Sequence, residues 1–167
     1  MSLEELVKDN DKVKALAHEI LNKPHFLAMF LQLCVRPRCP KELMKTHLVI
    51  TVAKHKPKPG VCRELKYISR PTIFSTIKKL MEVGLIGPME VFLDKRKKYY
   101  VLTGLGRQVK SEVTFIIKNW LEHQMAISLG TIDELTNIIE KTLKVPAEYV
   151  VSVLDPDFLR RLIRKRP

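Results

Sequence analysis

The residues best suited to chemistry fall in two clusters. Arg70, Thr72, Ser75, Thr76, Lys78 and Lys79 lie between Ser69 and Glu82, and Lys95, Arg96, Lys97 and Lys98 form an unbroken basic run further on. Every one of these side chains donates hydrogen bonds, and most carry positive charge. Such groups recognise anions. Arg and Lys reach phosphate oxygens or the O6 and N7 edge of guanine, and hydroxyls serve phosphates or bases. The sequence shows no paired carboxylates, nucleophile motif or phosphate-cradling glycine loop, so no catalysis is expected. Gly104 and Gly106 open a helix after a strand and do not make a nucleotide fingerprint.

Charge points the same way. The chain of 167 residues carries a formal net charge of +12. Residues 54–99 contribute +8 and residues 157–167 another +4, whereas residues 1–53 give +2 and residues 100–156 give −2. A basic excess concentrated around the two clusters is the footprint of a polyanionic partner, rather than of an evenly solvated face.

The clusters need elements to hold them. Ser69 suits an N-cap and Pro71 the first turn of a helix, where a missing N–H costs nothing. Ile73, Ile77, Leu80 and Met81 recur at helical spacing as one buried stripe, leaving the polar residues on other faces. Gly84 ends the helix in a left-handed conformation, and Leu85 and Ile86 return the chain to the core. Met89 to Leu93 and Tyr99 to Leu102 read as strands, with Asp94 to Lys98 as a solvated tip. Thr103 can cap the helix that follows. Phe74 has two readings: it contacts thymine methyl groups, or it packs on the preceding helix, the reading favoured here.

A helix, a tight turn, a basic-tipped hairpin and another helix, in that order, resemble the winged helix-turn-helix regulators of the MarR, ArsR and PadR kind. The matching strings are SRPTIFSTIKKLMEVGLI, for the recognition helix and turn, and KKYYVLTGLGRQV, for the second wing strand and the next helix. The resemblance implies a mainly α fold with a small β-hairpin wing and with N- and C-terminal helical extensions. It implies double-stranded DNA as the partner, the first cluster on the recognition helix and the second in the wing. It also implies a homodimer, whose two-fold symmetry suits paired half-sites. An archaeal or mobile-element version is the variety expected.

Upstream, Ser2 and Glu5 offer a capping box. Val13, Leu16, Ala17, Ile20 and Leu21 line one side of a helix that Pro24 interrupts. His25 to Val35 is apolar enough for the buried first helix of the winged domain, and Pro37 and Pro40 break it. From Pro40 to Lys54 a helix is favoured, although the β-branched run from Thr46 to Val52 would also suit a strand. Residues 55–60 read as a loop, and Val61 to Ile68 as the helix supporting the recognition helix. This places an insertion near residues 40–60. Cys34, Cys39 and Cys62, with His47 and His55, lack zinc-site spacing, so no metal and no cofactor is expected and Cys34 reads as a small core residue.

Downstream, a long helix runs from about Gly104 to Ser128. Val109, Val113, Ile116, Trp120 and Ile127 fall near heptad spacing and form the expected dimerisation surface, widened by Ile117, Leu121 and Met125. The same face could instead fold back onto residues 3–21. Thr131 with Glu134, Pro146, and Asp155 with Pro156 open three further helices. The expected domains are an N-terminal helical extension (1–23), a winged helix domain (24–106) and a C-terminal helical dimerisation region with a basic tail (107–167). No apolar run approaches the ~20 residues that span a bilayer, and no signal peptide is visible, so a cytoplasmic location is expected. The function expected is duplex-DNA binding by a dimeric transcriptional regulator, not an enzyme. An architectural DNA binder, a mobile-element replication or partition factor, and a protein-docking module of the transcription machinery remain open. Nothing identifies a small-molecule effector.

Overall fold

The computed structural model describes residues 2–57, 59–89 and 98–163. In chain order the elements are α1 (Leu3–Asn22), α2 (Pro24–Val35), α3 (Pro40–Leu43), β1 (His47–Lys54), β2 (Gly60–Tyr67), α4 (Arg70–Glu82), β3 (Ile86–Met89), β4 (Tyr99–Leu102), α5 (Gly104–Ala126), α6 (Ile132–Leu143), α7 (Ala147–Val151) and α8 (Pro156–Leu162). Two antiparallel hairpins, β1–β2 and β3–β4, make up the sheet structure among the described residues. The architecture is mainly helical with a small hairpin following α4, as the sequence led us to expect.

Local signals explain most helix ends. Ser2 and Glu5 close a complete capping box at the start of α1. Pro24 occupies the first turn of α2, where its missing N–H is harmless. α2 is the most deeply buried helix: Leu27, Ala28, Met29, Phe30 and Leu31 are fully enclosed. α5 packs along α1. Its buried stripe of Val109, Val113, Ile117, Leu121 and Met125 joins Val13, Ala17 and Ile20 of α1 in one core. That core continues through Leu135, Ile139, Val150 and Phe158 of the last three helices, with no break at residue 23 or residue 107.

Two expected helices are strands. The stretch from Pro40 to Lys54 keeps a single helical turn, α3, and Val61 to Ile68 is not helical at all. β1 and β2 pair in unbroken register from His47↔Tyr67 to Lys54↔Gly60. In the first segment the β-branched run wins, because alternation sends Val49 inward, where it is 2% exposed. In the second, good helix formers such as Glu64, Leu65 and Lys66 are overridden by pairing with β1, a long-range partner that helix propensity cannot see. The strand before the wing tip also begins early. β3 starts at Ile86, three residues before Met89, and residues 90–93 lie outside the described residues.

The hairpin is fastened at its base. The Ile68 amide donates to the Thr46 carbonyl at 3.1 Å, and the Val49 amide donates to the Lys144 carbonyl at 3.0 Å. Gln32 Nε2 of α2 donates to Thr46 Oγ1 at 2.6 Å, and the His47 amide donates to the Tyr149 hydroxyl of α7 at 3.4 Å. Arg63 donates through both Nε and Nη2 to the carboxylate of Glu140 on α6.

Candidate nucleic-acid interface

α4 is capped by Ser69, whose hydroxyl oxygen accepts from the Thr72 amide at 3.4 Å. Pro71 follows in the first turn. The buried stripe is Ile73, Thr76, Ile77 and Leu80. The opposite face therefore carries Arg70, Phe74, Ser75 and Lys78, all exposed. Arg70, Phe74 and Lys78 stand four residues apart and form a ridge along that face. The Arg70 guanidinium carbon lies 5.6 Å from the centre of the Phe74 ring, within cation–π range. Ser75 Oγ donates to the Thr72 carbonyl at 3.1 Å, which leaves its oxygen as an acceptor toward solvent.

The turn after α4 locks the wing to the helix. Gly84 has φ +83°, a left-handed conformation that glycine adopts without strain. The Leu85 amide donates to the Leu80 carbonyl at 2.9 Å, and the Thr103 amide donates to the Leu85 carbonyl at 3.0 Å. Thr103 Oγ1 donates to the Gly84 carbonyl at 2.5 Å and accepts from the Gly106 amide at 3.0 Å. Gly106 allows this approach, since a Cβ there would sit 2.1 Å from the Leu85 oxygen. The wing pairs Ile86↔Leu102 through Met89↔Tyr99. Arg38 adds a further bridge, exchanging two backbone bonds with Tyr100 at 3.1 and 2.8 Å. The segment leading to α3 is held by Arg36, whose guanidinium meets Glu42 at 2.5 Å and holds that carboxyl down at about 2.

The structure sorts the expected site residues. Arg70, Ser75 and Lys78 lie on the outer face of α4, and Thr72 is half-buried at its edge. Lys79 is exposed on the flank, beside Leu16, Glu19 and Phe26. Thr76 is 1% exposed and belongs to the core, so it cannot meet a ligand; its position in the stripe with Ile73, Ile77 and Leu80 puts it inside. Phe74 reverses the favoured reading. It is 43% exposed and stands on the outer face beside Arg70. Its spacing of four from both Arg70 and Lys78 was the signal for that. Met81, expected in the buried stripe, is exposed. Lys98 is exposed just before β4, while Lys95, Arg96, Lys97 and the tail from residue 164 lie outside the described residues.

The expected dimerisation stripe divides. Val109 and Val113 are fully buried within this one chain, against α1, and cannot face a second copy. Ile116 and Trp120 are half-buried at the rim of the core. Ile127 is 87% exposed, and Leu129 and Ile132 beside it are exposed as well. The stripe stays buried as far as Met125, in the last turn of α5, while Phe115 is 58% exposed in mid-helix and further exposed apolar residues follow the helix end.

Cys34 is half-buried on α2, where burial pushes its thiol up to about 12 against the opposing charge of Lys110. No group of three or more His, Cys, Asp or Glu stands together as a metal site among the described residues. No described helix is long and apolar enough to cross a membrane.

A short helix, a connecting segment, a capped helix with one exposed polar ridge, and a hairpin braced against its far end make a winged helix-turn-helix. The β1–β2 hairpin replaces the usual tight turn between the two helices. No family model matches this chain, and no curated protein matches it. Among solved structures, a mutant of Lactococcus lactis ZitR in apo form is similar over 84% of this chain and 92% of that one, with 20% identity and a TM-score of 0.44. A TM-score that low adds no weight, and the architecture stands on the elements described above.

Proposed function

We propose that this protein binds duplex DNA as a homodimer and regulates transcription. The observation that carries the reading is the ridge of Arg70, Phe74, Ser75 and Lys78 on a capped helix locked to a hairpin whose tip sequence is basic. A helix of this kind fits the major groove. Arg70 and Lys78 reach guanine edges or phosphates, Ser75 accepts or donates, and the Phe74 ring offers an apolar contact to thymine methyl groups. The basic wing run, Lys95 to Lys98, adds phosphate contacts beside the groove.

Support for the homodimer comes from the far end of the molecule. Leu16 and Ile20 of α1 share a small cleft with Lys79 and Leu85, and the start of α5 touches Leu85 through Gly106. The two packed helices therefore meet the α4 turn with opposite ends. Their other ends carry Leu3, Leu6 and Val7 of α1 and Ile127, Leu129 and Ile132 after α5, all exposed apolar residues. Pairing through that end leaves both copies of α4 on the opposite side, available to half-sites roughly 34 Å apart.

The test is mapping of bound sites across the genome, followed by footprinting and salt titration on the best site. One two-fold site bound far above random duplex is expected. Replacing Lys95, Arg96, Lys97 and Lys98 with Ala should flatten the plot of log affinity against log salt by about 0.9 for each phosphate that is no longer neutralised. Equal affinity for all sequences would favour an architectural protein, and no binding to duplex DNA would refute the reading.

A further inference from the structure

We propose that the outer edge of β2 pairs with the same edge of a second copy of this chain, antiparallel and centred on Leu65, so that two hairpins join into one four-stranded sheet. The contact is separate from the helix ends invoked above and needs no DNA.

The edge is open. In an antiparallel pair, alternate residues bond each other, while those between them turn their N–H and C=O groups outward. The Ile68 amide bonds the Thr46 carbonyl across the base of the hairpin. The outward-turned residues are therefore His47, Val49 and Thr51 on β1 and Tyr67, Leu65 and Arg63 on β2. On β1 two of these groups have partners: the His47 amide meets the Tyr149 hydroxyl, and the Val49 amide meets the Lys144 carbonyl. On β2 no described residue accepts from the amides of Arg63, Leu65 or Tyr67. Every residue from Arg63 to Tyr67 is exposed, Leu65 at 49% and Tyr67 at 67%. A strand edge in this state is a template for another strand.

The order Arg63-Glu64-Leu65-Lys66-Tyr67 selects a second copy as the occupant. A two-fold axis through Leu65 sets Leu65 against Leu65, Glu64 against Lys66 and Arg63 against Tyr67, the last two pairs each occurring twice. Glu64 and Lys66 share one face of the strand and form opposite-charge pairs across the contact. Arg63, Leu65 and Tyr67 share the other. There Glu140 holds the Arg63 guanidinium, and the aliphatic stem is left to pack beside the Tyr67 ring of the second copy. Moving the axis by one residue opposes Glu64 to Glu64 or Lys66 to Lys66, and moving it to Arg63 opposes two guanidinium groups. Charged residues guard an edge against indiscriminate pairing. Here they admit one partner in one register.

Spacing allows the joined sheet. Strands lie about 4.8 Å apart, so the two copies of β1 stand roughly 14 Å from each other. α6 packs on β1 and reaches β2 through the long Arg63 side chain. Its two copies, each about 10–12 Å wide, clear one another at that distance. The contact adds about six backbone hydrogen bonds, two at each outward pair. Five residues per copy are far fewer than the about 20–30 of a stable interface, so the pairing is weak in dilute solution and forms where copies are concentrated. Added to the helix-end pairing, a second two-fold contact links dimers into tetramers or open arrays.

The experiment oxidises full-length Leu65→Cys at submillimolar concentration and low salt, with peptide mass mapping of the disulfides. In this register the two Cα atoms at position 65 stand about 5.5 Å apart, within disulfide reach, and a link between the introduced thiols is expected. Glu64→Cys places its thiols diagonally, with Cα atoms about 8 Å apart and beyond that reach, so it should link at least tenfold less. Adding Glu64→Lys or Lys66→Glu to Leu65→Cys opposes like charges at two places and should slow linkage roughly tenfold. Mixing those two charge variants opposes unlike charges again. Linkage should return, chiefly as mixed dimers, which also shows that each variant had kept its fold. The link should persist when Ile127→Asp and Ile132→Asp are added. No link at position 65, equal linking at position 64, or indifference to the charge reversals would overturn the edge pairing and leave the DNA reading standing. Loss of the link with Ile127→Asp and Ile132→Asp would overturn it as well, since position 65 would then belong to the helix-end contact.

Discussion

Glu140→Gln tests the fastening of the hairpin, and its effect can be worked out from the contacts. Glu140 is 6% exposed. It accepts two bonds from Arg63 and one from the Ala147 amide at 2.9 Å. The last bond satisfies an amide at the start of α7, a helix without a side-chain cap. Breaking a buried ion pair costs about 3–5 kcal/mol. Here the Arg63 side chain is 46% exposed, so water takes up its guanidinium once the pair is gone. A loss of about 2–3 kcal/mol is therefore expected. For a chain of this length that lowers Tm by roughly 5–10 °C.

The pH dependence gives a second reading of the same pair. Burial pushes the Glu140 carboxyl up, but the bonds from Arg63 and Ala147 outweigh it and leave the group below its ordinary value of 4.5. A carboxyl lowered in the folded state adds stability above its unfolded value and loses it as pH falls through the folded one. Glu42, held at about 2 by Arg36, acts with the same sign. The gap between wild type and Glu140→Gln should be widest near neutral pH and narrow as acid protonates Glu140. Arg63→Met should show the same narrowing, because it strands a carboxylate that burial then favours protonating. Urea unfolding at neutral pH and at a pH below the lowered value of the folded carboxyl, followed by circular dichroism, measures both. A neutral-pH change below about 0.5 kcal/mol, or a gap that does not narrow in acid, would refute the reasoning.

Other perturbations probe the interface itself. Gly106→Ala places a Cβ 2.1 Å from the Leu85 carbonyl oxygen, so it should cost about 3 kcal/mol in thermal unfolding and displace the wing; an unchanged Tm would mean that α5 can move away freely. Arg70→Ala and Phe74→Ala should each lower specific affinity by about 1–3 kcal/mol in competition anisotropy, whereas Thr76→Val, at a buried position, should leave it unchanged. Weaker binding at Thr76 with none at Phe74 would mean that α4 is turned over. Ile127→Asp with Ile132→Asp should convert a dimer to a monomer in sedimentation while keeping the helical signal, but Val113→Asp, inside the core, should unfold the chain. A wild type that is monomeric at micromolar concentration would confine assembly to the DNA.

The reading helix was legible in the sequence because its signals are local. Ser69, Pro71 and the stripe through Leu80 need only their own neighbours to declare a capped amphipathic helix, and Thr103 likewise announces α5. The wing could be placed because its charged tip leaves no other role for the residues around it. The β1–β2 hairpin was only half legible: the β-branched run from Thr46 to Val52 offered a strand, but its partner did not show itself. Residues 61–68 contain good helix formers, and nothing within them reports that β1 is waiting to pair or that Glu140, far along the chain, will hold Arg63. The faces of the helices were settled the same way. Sequence spacing marked Val109 and Val113 as needing a partner, but only the folded chain shows that α1 is that partner and that Ile127 stands exposed beyond the buried stripe. Spacing also left Phe74 at the edge of a stripe, and burial of its neighbours turned it outward beside Arg70. What depends on neighbours within a turn or two is written locally. What depends on which distant segment covers a surface is decided by the free energy of the whole core, and no local window carries that quantity.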